Sequence, residues 1–154
     1  MSYLLAVLGV HTQARFSELL APLGIRPQHF GALRWIAMND GSTQQEVADL
    51  MQVRRNLMVG LVDDLEQAGL VVRGRHPVDR RAYALHLTPV GERVLAAAEG
   101  EADRVSAELL APLDPGSRAA FQEALLAVGA ALGLSPAVFL KNCDVPVRAA
   151  QPCD

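Results

Sequence analysis

Residues 43–91 read TQQEVADLMQVRRNLMVGLVDDLEQAGLVVRGRHPVDRRAYALHLTPVG, and the order of elements in this stretch decides the fold. Thr43 is followed three residues later by Glu46, a capping box that predicts the start of a short helix. After a turn around Gln52, a second helix is predicted to run to Gln67. The residues of this helix expected to face inward are Leu57, Leu61, Val62 and Leu65. The two helices together form a helix-turn-helix.

Two short strands are predicted after the second helix. Leu70–Arg73 and Tyr83–Leu87 are separated by a polar segment that contains Gly74 and Pro77, a pattern typical of a β-hairpin. Thr88 is then suited to cap another helix. A hairpin directly after a helix-turn-helix is a wing, so the stretch predicts a winged helix-turn-helix.

The flanking segments predict further helices. Apolar residues recur at helical spacing from Tyr3 to Leu20, and Pro27 opens a second helix. A fifth helix is expected from Pro89 to about Leu110, and a sixth begins at Asp114-Pro115. The apolar row of the sixth helix is Phe121, Leu125, Val128 and Leu132. The predicted fold class is mainly α with a small β-wing.

Length and composition favour one compact domain with a helical core. The chain has 154 residues, of which 51% are hydrophobic and 20% charged, enough to bury a core without disulfides or metal. Cys143 and Cys153 both lie in the last 12 residues, so no disulfide framework is implied and a reducing cytoplasm is expected. The apolar stretch Tyr3–Val10 has eight residues and no basic residue before it, so neither an export signal nor a membrane contact is predicted.

The net charge of −3 conceals a local excess of positive charge. Residues 54–81 contain six arginines and four acidic residues, a net charge of +2, which leaves −5 for the rest of the chain. A phosphate responds to charges within about 10 Å at ordinary salt, so the local balance matters more than the total. This segment is therefore a candidate surface for nucleic acid.

The residue types at the start of the second helix of the pair suit base recognition. Arg54, Arg55 and Asn56 stand there; arginine can donate two bonds to guanine and asparagine can pair with adenine. The hairpin tip would reach a minor groove with Arg75, His76, Arg80 and Arg81. Three simpler roles compete: a solvated helix start for Arg54 and Arg55, an Asp79–Arg81 pair that braces the wing, and a structural role for Arg73.

Several residues at set spacings resemble one family. The pattern consists of Thr43-Gln44, then Leu65-Glu66-x-x-Gly69-Leu70-Val71-x-Arg73, then Asp79-x-Arg81-x-x-x-Leu85-x-Leu87-Thr88-x-x-Gly91. It is similar to that of the MarR family of bacterial regulators and covers roughly residues 3–132. The chain departs from the family in the second helix of the pair, which recognises DNA in the family. Small hydroxyl residues are common there in the family, whereas this chain has Asn56, Leu57 and Gly60.

The resemblance implies a homodimer that binds double-stranded DNA at a pseudo-palindromic operator. It divides the chain into a dimerisation helix at 1–24, a DNA-binding region at 25–90, dimerisation helices at 91–133 and a tail at 134–154. By position, the residues implied to hold phosphates are Thr43 and Gln44. Those implied to read bases are Arg54, Arg55, Asn56 and Val59, and those in the wing are Arg75 and Arg81.

The resemblance also implies a cleft for a small effector. Arg15 interrupts the apolar row of the first helix one turn after His11 and requires an anion if it is buried. One hypothesis is an aromatic carboxylate bound by Arg15, with His11 donating and Trp35 and Met38 packing on the ring. Asn39 is a weaker candidate, and the competing interpretation of Arg15 is a salt bridge between subunits.

The predicted function is a transcriptional repressor relieved by a small ligand, without a cofactor or metal. The four histidines lack ligand-like spacing, and no phosphate loop, nucleophile elbow or paired carboxylates are found, so an enzyme is not predicted. The alternative is a winged-helix module for protein interaction or dimerisation that does not bind DNA.

Overall fold

A computed structural model describes residues 1–76 and 82–133. The helices are α1 (Ser2–Leu20, followed by a 3-10 turn at Ala21–Leu23), α2 (Pro27–Met38), α3 (Gln44–Leu50), α4 (Arg55–Gln67), α5 (Pro89–Leu110) and α6 (Pro115–Ala131). The strands are β1 (Val71–Arg75) and β2 (Tyr83–Leu87). The mainly α fold with a two-stranded wing is confirmed. The tail at 134–154, with Cys143 and Cys153, lies outside the described residues.

Local side-chain bonds fix the helix starts as the sequence predicts. The Glu46 amide donates to the Thr43 hydroxyl at 3.2 Å, and the Thr43 amide donates to Glu46 Oε2 at 2.7 Å. The Gly91 amide donates to the Thr88 hydroxyl at 3.0 Å. Gly69 follows the C-terminal cap of α4 and has a φ of +69°, a conformation that favours glycine. Each of these signals acts within three or four residues, which is why it can be recognised in the sequence.

The wing is attached to the helix-turn-helix by backbone hydrogen bonds. β1 and β2 pair antiparallel, with Val71 opposite Leu87 and Arg75 opposite Tyr83. The segment before α3 also pairs with β2, since the Leu85 amide donates to the Ser42 carbonyl at 2.9 Å. The position of the strands relative to α3 is therefore set by the main chain.

Helix α4 contributes four buried side chains to the core that it shares with α2, α3 and the wing. In α4 the buried positions are Met58, Leu61, Val62 and Leu65. The prediction that Leu57 faces inward is wrong: this side chain is 43% exposed, whereas Met58 is fully buried. Positions 58, 61, 62 and 65 follow the i, i+3, i+4, i+7 pattern, which places residue 57 about a quarter turn from the centre of the buried stripe.

The chain divides into two compact units, Met1–Pro112 and a second unit from Leu113. In the first, α1 packs on α2 partly through Phe16 and Phe30, whose rings meet edge to face with centroids 5.2 Å apart. In the second, Asp114 caps α6 by accepting bonds from the Gly116 and Ser117 amides at 3.0 and 3.1 Å.

Among the described residues, no helix combines the length and apolar character needed to cross a membrane. The domain boundaries proposed from the sequence stay predictions.

Candidate nucleic-acid interface

The first turn of α4 presents two cations and an amide to solvent. Arg54 is the residue that precedes the helix, and Arg55 and Asn56 begin it; all three are exposed. Across residues 1–76 and 82–133 none of these three side chains forms a hydrogen bond or ion pair with another described residue. Their polar groups are therefore available for another molecule.

The surface of α4 opposite its buried stripe is formed by Asn56, Gly60 and Asp63, three exposed residues spaced four and three apart. Val59 lies beside this ridge and is also partly exposed. Gly60 has helical backbone angles, and a Cβ atom built on it would meet nothing within 4 Å. A glycine inside an exposed helix costs about 1 kcal/mol relative to alanine. Nothing within the described chain accounts for that cost.

An open cleft of about 550 Å³ lies between the start of α3, the first turns of α4 and the wing. The residues that line it are Thr43, Gln44, Gln45, Arg55, Val59, Arg73, Ala82 and Tyr83. The structure thus brings together Thr43, Gln44, Arg55 and Val59, four of the residues predicted to contact DNA. Arg54 and Asn56 lie on the same turn of α4 outside this lining.

Arg73 ties the wing to both helices of the motif. Its Nη2 donates to Asp63 Oδ1 at 2.6 Å and to Gln44 Oε1 at 3.3 Å, and its Nη1 donates to Glu66. Burial lowers the pKa of the Arg73 guanidinium, but the bonds that it donates to the carboxylates of Asp63 and Glu66 outweigh this effect and hold the pKa above its ordinary value. The structural role expected for this arginine fits these contacts, which also neutralise Asp63 on the outward ridge of α4.

Thr43 and Gln44 are both engaged within the chain. The Thr43 hydroxyl donates to Glu46 Oε2 at 2.9 Å, and the bonds from Thr43 lower the pKa of the Glu46 carboxyl. Gln44 uses its amide oxygen on Arg73, so its amide nitrogen is the group left for a phosphate. The role of both residues as phosphate contacts stays a prediction.

Besides Arg73, which is bonded to α3 and α4, the wing has one further described arginine. Arg75 ends β1 and is exposed. Arg80, Arg81 and Asp79 lie outside the described residues, so the predicted contact by Arg81 and its pairing with Asp79 stay predictions.

The candidate effector residues are distributed along α1 and α2. Trp35 is buried, Met38 and His11 are exposed, and the Asn39 amide nitrogen donates to the Trp35 carbonyl at 3.0 Å. Arg15 is held by α5, since its Nε and Nη2 donate to the two carboxylate oxygens of one glutamate at 3.0 and 3.2 Å. That glutamate is Glu108, 93 residues away in sequence, and no local pattern could have identified it.

The Arg15–Glu108 pair favours the charged form of both groups. The bond to Glu108, followed by one to Glu18 at 3.2 Å, raises the pKa of Arg15 above its ordinary value. The bond from Arg15 in turn lowers the pKa of the Glu108 carboxyl. The guanidinium therefore already has anionic partners within the chain. The prediction that it binds an effector carboxylate stays open.

A smaller cavity of about 250 Å³ lies between the end of α2, the end of β2 and the first turns of α5. Its lining includes Asp40, Glu92 and Glu99 and none of the five candidate effector residues. Three carboxylates in one lining disfavour an anionic ligand there.

The sequence is similar to known regulators. A profile described as the MarR family matches residues 23–82. Over 125 residues the chain is 34% identical to a putative transcriptional regulatory protein for the hcr operon of Thauera aromatica, and the match covers 81% of this chain and 69% of that protein.

Solved structures share the fold. The transcriptional repressor CouR, bound to a 23-mer DNA duplex, matches with a TM-score of 0.77 and 32% identity over 84% of this chain and 92% of that one. CouR from Rhodococcus jostii RHA1 bound to p-coumaroyl-CoA matches with a TM-score of 0.71 and 25% identity over 82% and 89% of the two chains. The Mycobacterium tuberculosis MarR-family protein Rv2887 in complex with salicylic acid matches with a TM-score of 0.69 and 28% identity over 84% and 96%.

Proposed function

Because the chain belongs to the MarR family of transcription regulators, which are not enzymes, we propose that it is a repressor that binds a pseudo-palindromic operator as a homodimer. In this proposal, a small aromatic acid binds the dimer and releases it from DNA. The observation that carries the proposal is the exposed first turn of α4, where Arg54, Arg55 and Asn56 stand beside the cleft between α3, α4 and the wing.

The geometry of α4 suits a major groove. A groove about 12 Å wide admits one helix, and the N-terminal residues of that helix reach the base edges. Arg55 and Gln44 line the same cleft. A duplex bound there would be within reach of a cation suited to bases and of an amide suited to phosphate. The repressor CouR, whose fold this chain shares, has been solved on a DNA duplex.

Two apolar surfaces support a homodimer. In α1 the side chains of Tyr3, Leu4 and Val10 are exposed, although each would be more stable away from water. In α6 the side chains of Phe121, Leu125 and Val128 are exposed, and Leu132, which follows the helix, is exposed as well. We expect a second copy of the chain to cover such surfaces. Binding two half-sites one turn of DNA apart then requires the two α4 helices to lie about 34 Å from each other.

Arg15 supports an anionic effector. Salicylic acid, seen with Rv2887, and p-coumaroyl-CoA, seen with CouR, both join an aromatic ring to negative charge. In this chain such a ligand would compete with Glu108 and Glu18 for the Arg15 guanidinium. Release of Glu108 would alter a link between α1 and α5, which gives ligand binding a route to a change in the dimer.

The test of DNA binding is selection of duplexes from a randomised pool, followed by titration of the enriched duplex at several salt concentrations. We expect an enriched two-fold symmetric sequence and a log K that falls linearly with log salt, by about 0.9 for each phosphate neutralised. Failure to enrich any sequence, with binding that does not depend on salt, would instead support the protein-interaction module.

The test of the effector is titration of salicylate into the complex with the enriched duplex. We expect release from DNA by the wild-type protein and a loss of sensitivity in Arg15→Ala. Arg104→Ala is the matched control, because Arg104 also contacts Glu108, at 3.4 Å, from its own helix. If Arg15→Ala responds to salicylate as strongly as the wild type, the carboxylate site is not at Arg15.

A further inference from the structure

Gly60 has no explanation inside the described chain, unlike other glycines near it. Gly91 is required because a Cβ atom there would lie 2.0 Å from the Leu70 carbonyl oxygen, and Gly69 is favoured by its positive φ. Gly60 has neither constraint: its backbone is helical and the space around it is empty. The stability of α4 would increase if this residue were alanine.

The empty space at Gly60 lies on the face of α4 that is opposite its buried residues. Gly60 lies one turn after Asn56, about 6 Å further along the helix axis. Both belong to the ridge opposite the buried stripe, which is the part of a helix that comes nearest to the floor of a groove. With no side chain at residue 60, the helix backbone itself forms the surface there.

We propose that Gly60 is a DNA-contact position, at which the missing side chain lets the backbone of α4 approach the base edges closely. The inference rests on the proposed function, because it requires α4 to enter the major groove. A methyl group at this position would hold the helix away from the bases. Contacts to bases by Asn56 and Arg55 would then lengthen, whereas attraction between arginines and phosphates would change little.

The experiment compares Gly60→Ala with Gly100→Ala. Gly100 is also exposed within a helix, α5, and a Cβ atom there also meets nothing within 4 Å. Both variants are expected to raise the melting temperature by about 2 to 4 °C, since both gain helix propensity. Both are first compared with the wild type for oligomeric state by light scattering.

The DNA probes are the duplex selected by the wild-type protein and a scrambled duplex of the same length. Gly60→Ala is expected to bind the selected duplex at least tenfold more weakly and the scrambled duplex within twofold of the wild type. Gly100→Ala is expected to bind both duplexes as the wild type does. If Gly60 had only a structural role, Gly60→Ala would not raise the melting temperature and weaken binding to the selected duplex at the same time.

Two results would overturn the inference. Wild-type affinity of Gly60→Ala for the selected duplex would show that no close approach occurs at this position. An equal loss in Gly100→Ala would show that the effect comes from helix stiffness or assembly. Failure of the proposed function is distinguishable from both, because the wild-type protein would then select no duplex at all.

Discussion

The winged region at 25–90 and helix α1 differ in which side chains they bury or pair and which they expose. In the winged region the large apolar residues Leu33, Met58 and Leu85 are fully buried, and the exposed groups include Arg54 and Arg55. In α1, Tyr3 is 83% and Val10 is 70% exposed, whereas the cation Arg15 is bound to Glu108. The winged region thus buries these apolar side chains and leaves two cations unpaired among the described residues, whereas α1 pairs a cation with Glu108 and leaves apolar side chains exposed.

This difference indicates which kind of partner would stabilise each exposed surface. Exposed arginines at a helix start are neutralised by a polyanion, whereas exposed leucines are stabilised only by removal from water. The two regions therefore suit two partners of different chemistry, DNA for the first and another apolar surface for the second. Each of the four predictions below tests one side of this contrast.

The largest effect is expected from negative charge on the apolar side of α1. The double variant Leu4→Glu, Leu8→Glu would bury unpaired carboxylates in the proposed dimer interface. We expect the dimer dissociation constant to rise at least about 1000-fold, about 4 kcal/mol, with the winged region still folded. Sedimentation equilibrium measures the constant, and circular dichroism checks the helices.

Gln13→Glu is the control for this variant, because it also adds a glutamate to α1, one negative charge instead of two, at an exposed polar position. It is expected to leave the dimer unchanged. A wild-type protein that sediments as a monomer, or a double variant that dimerises normally, would contradict the assignment of this surface.

The second prediction concerns two neighbours in α4. Met58→Ala removes a fully buried side chain and should lower the free energy of unfolding by about 2 to 5 kcal/mol. Leu57→Ala should lower it by less than about 1 kcal/mol, because this side chain is already partly in water. Urea unfolding measures both. The reverse order would mean that α4 is rotated by one residue and that a different ridge faces DNA.

The third prediction tests the available cations. Arg55→Ala should weaken binding to the selected duplex by about 1 to 3 kcal/mol if a base contact is lost, with little change in stability. Fluorescence anisotropy at fixed salt measures the affinity. Arg104→Ala removes one positive charge from α5 and should have no such effect. Equal losses in the two variants would indicate that only total charge matters.

The smallest effect is a pH dependence that arises from His29, which joins α2 to α4. The Arg26 amide donates to Nδ1 at 3.3 Å, and Nε2 lies 2.9 Å from Arg26 Nη2 and 3.3 Å from Asp64 Oδ2. Burial, together with the positive charge of Arg26, lowers the pKa of His29 despite the opposing effect of Asp64. The unfolded chain therefore takes up the proton first as pH falls below about 6.5.

The stability of the protein should accordingly be full above about pH 6.5 and should decrease as pH falls through the lowered pKa of His29. Urea midpoints at pH 7.5, 6.5 and 5.5 measure this slope. His29→Gln is expected to reduce it, and His11→Gln, a change at an exposed histidine of α1, is expected to retain it. A midpoint that rises on acidification would contradict the assignment.

The elements could be predicted because their signals are local. The caps at Thr43 and Thr88 and the end at Gly69 depend on residues at most four apart, and the structure shows each of these bonds or angles. The position of Arg54 and Arg55 at the start of α4 follows from the same signals. In α4 the prediction is correct at Leu61, Val62 and Leu65 and wrong at Leu57, which is apolar and one turn before Leu61 and so fits the row as well as its neighbour Met58 does.

The sequence by itself thus determined the order of the elements, the capped helix starts and the place of the exposed arginines, because backbone capping and helical periodicity act over a few residues. Only the tertiary structure decided which arginines are engaged. Arg15 meets Glu108 and Arg73 meets Asp63 and Gln44 because helices and wing pack against one another, and such packing joins residues whose separation in the chain carries no signal. An arginine is therefore available to DNA or engaged within the protein according to which carboxylates the packing brings to it.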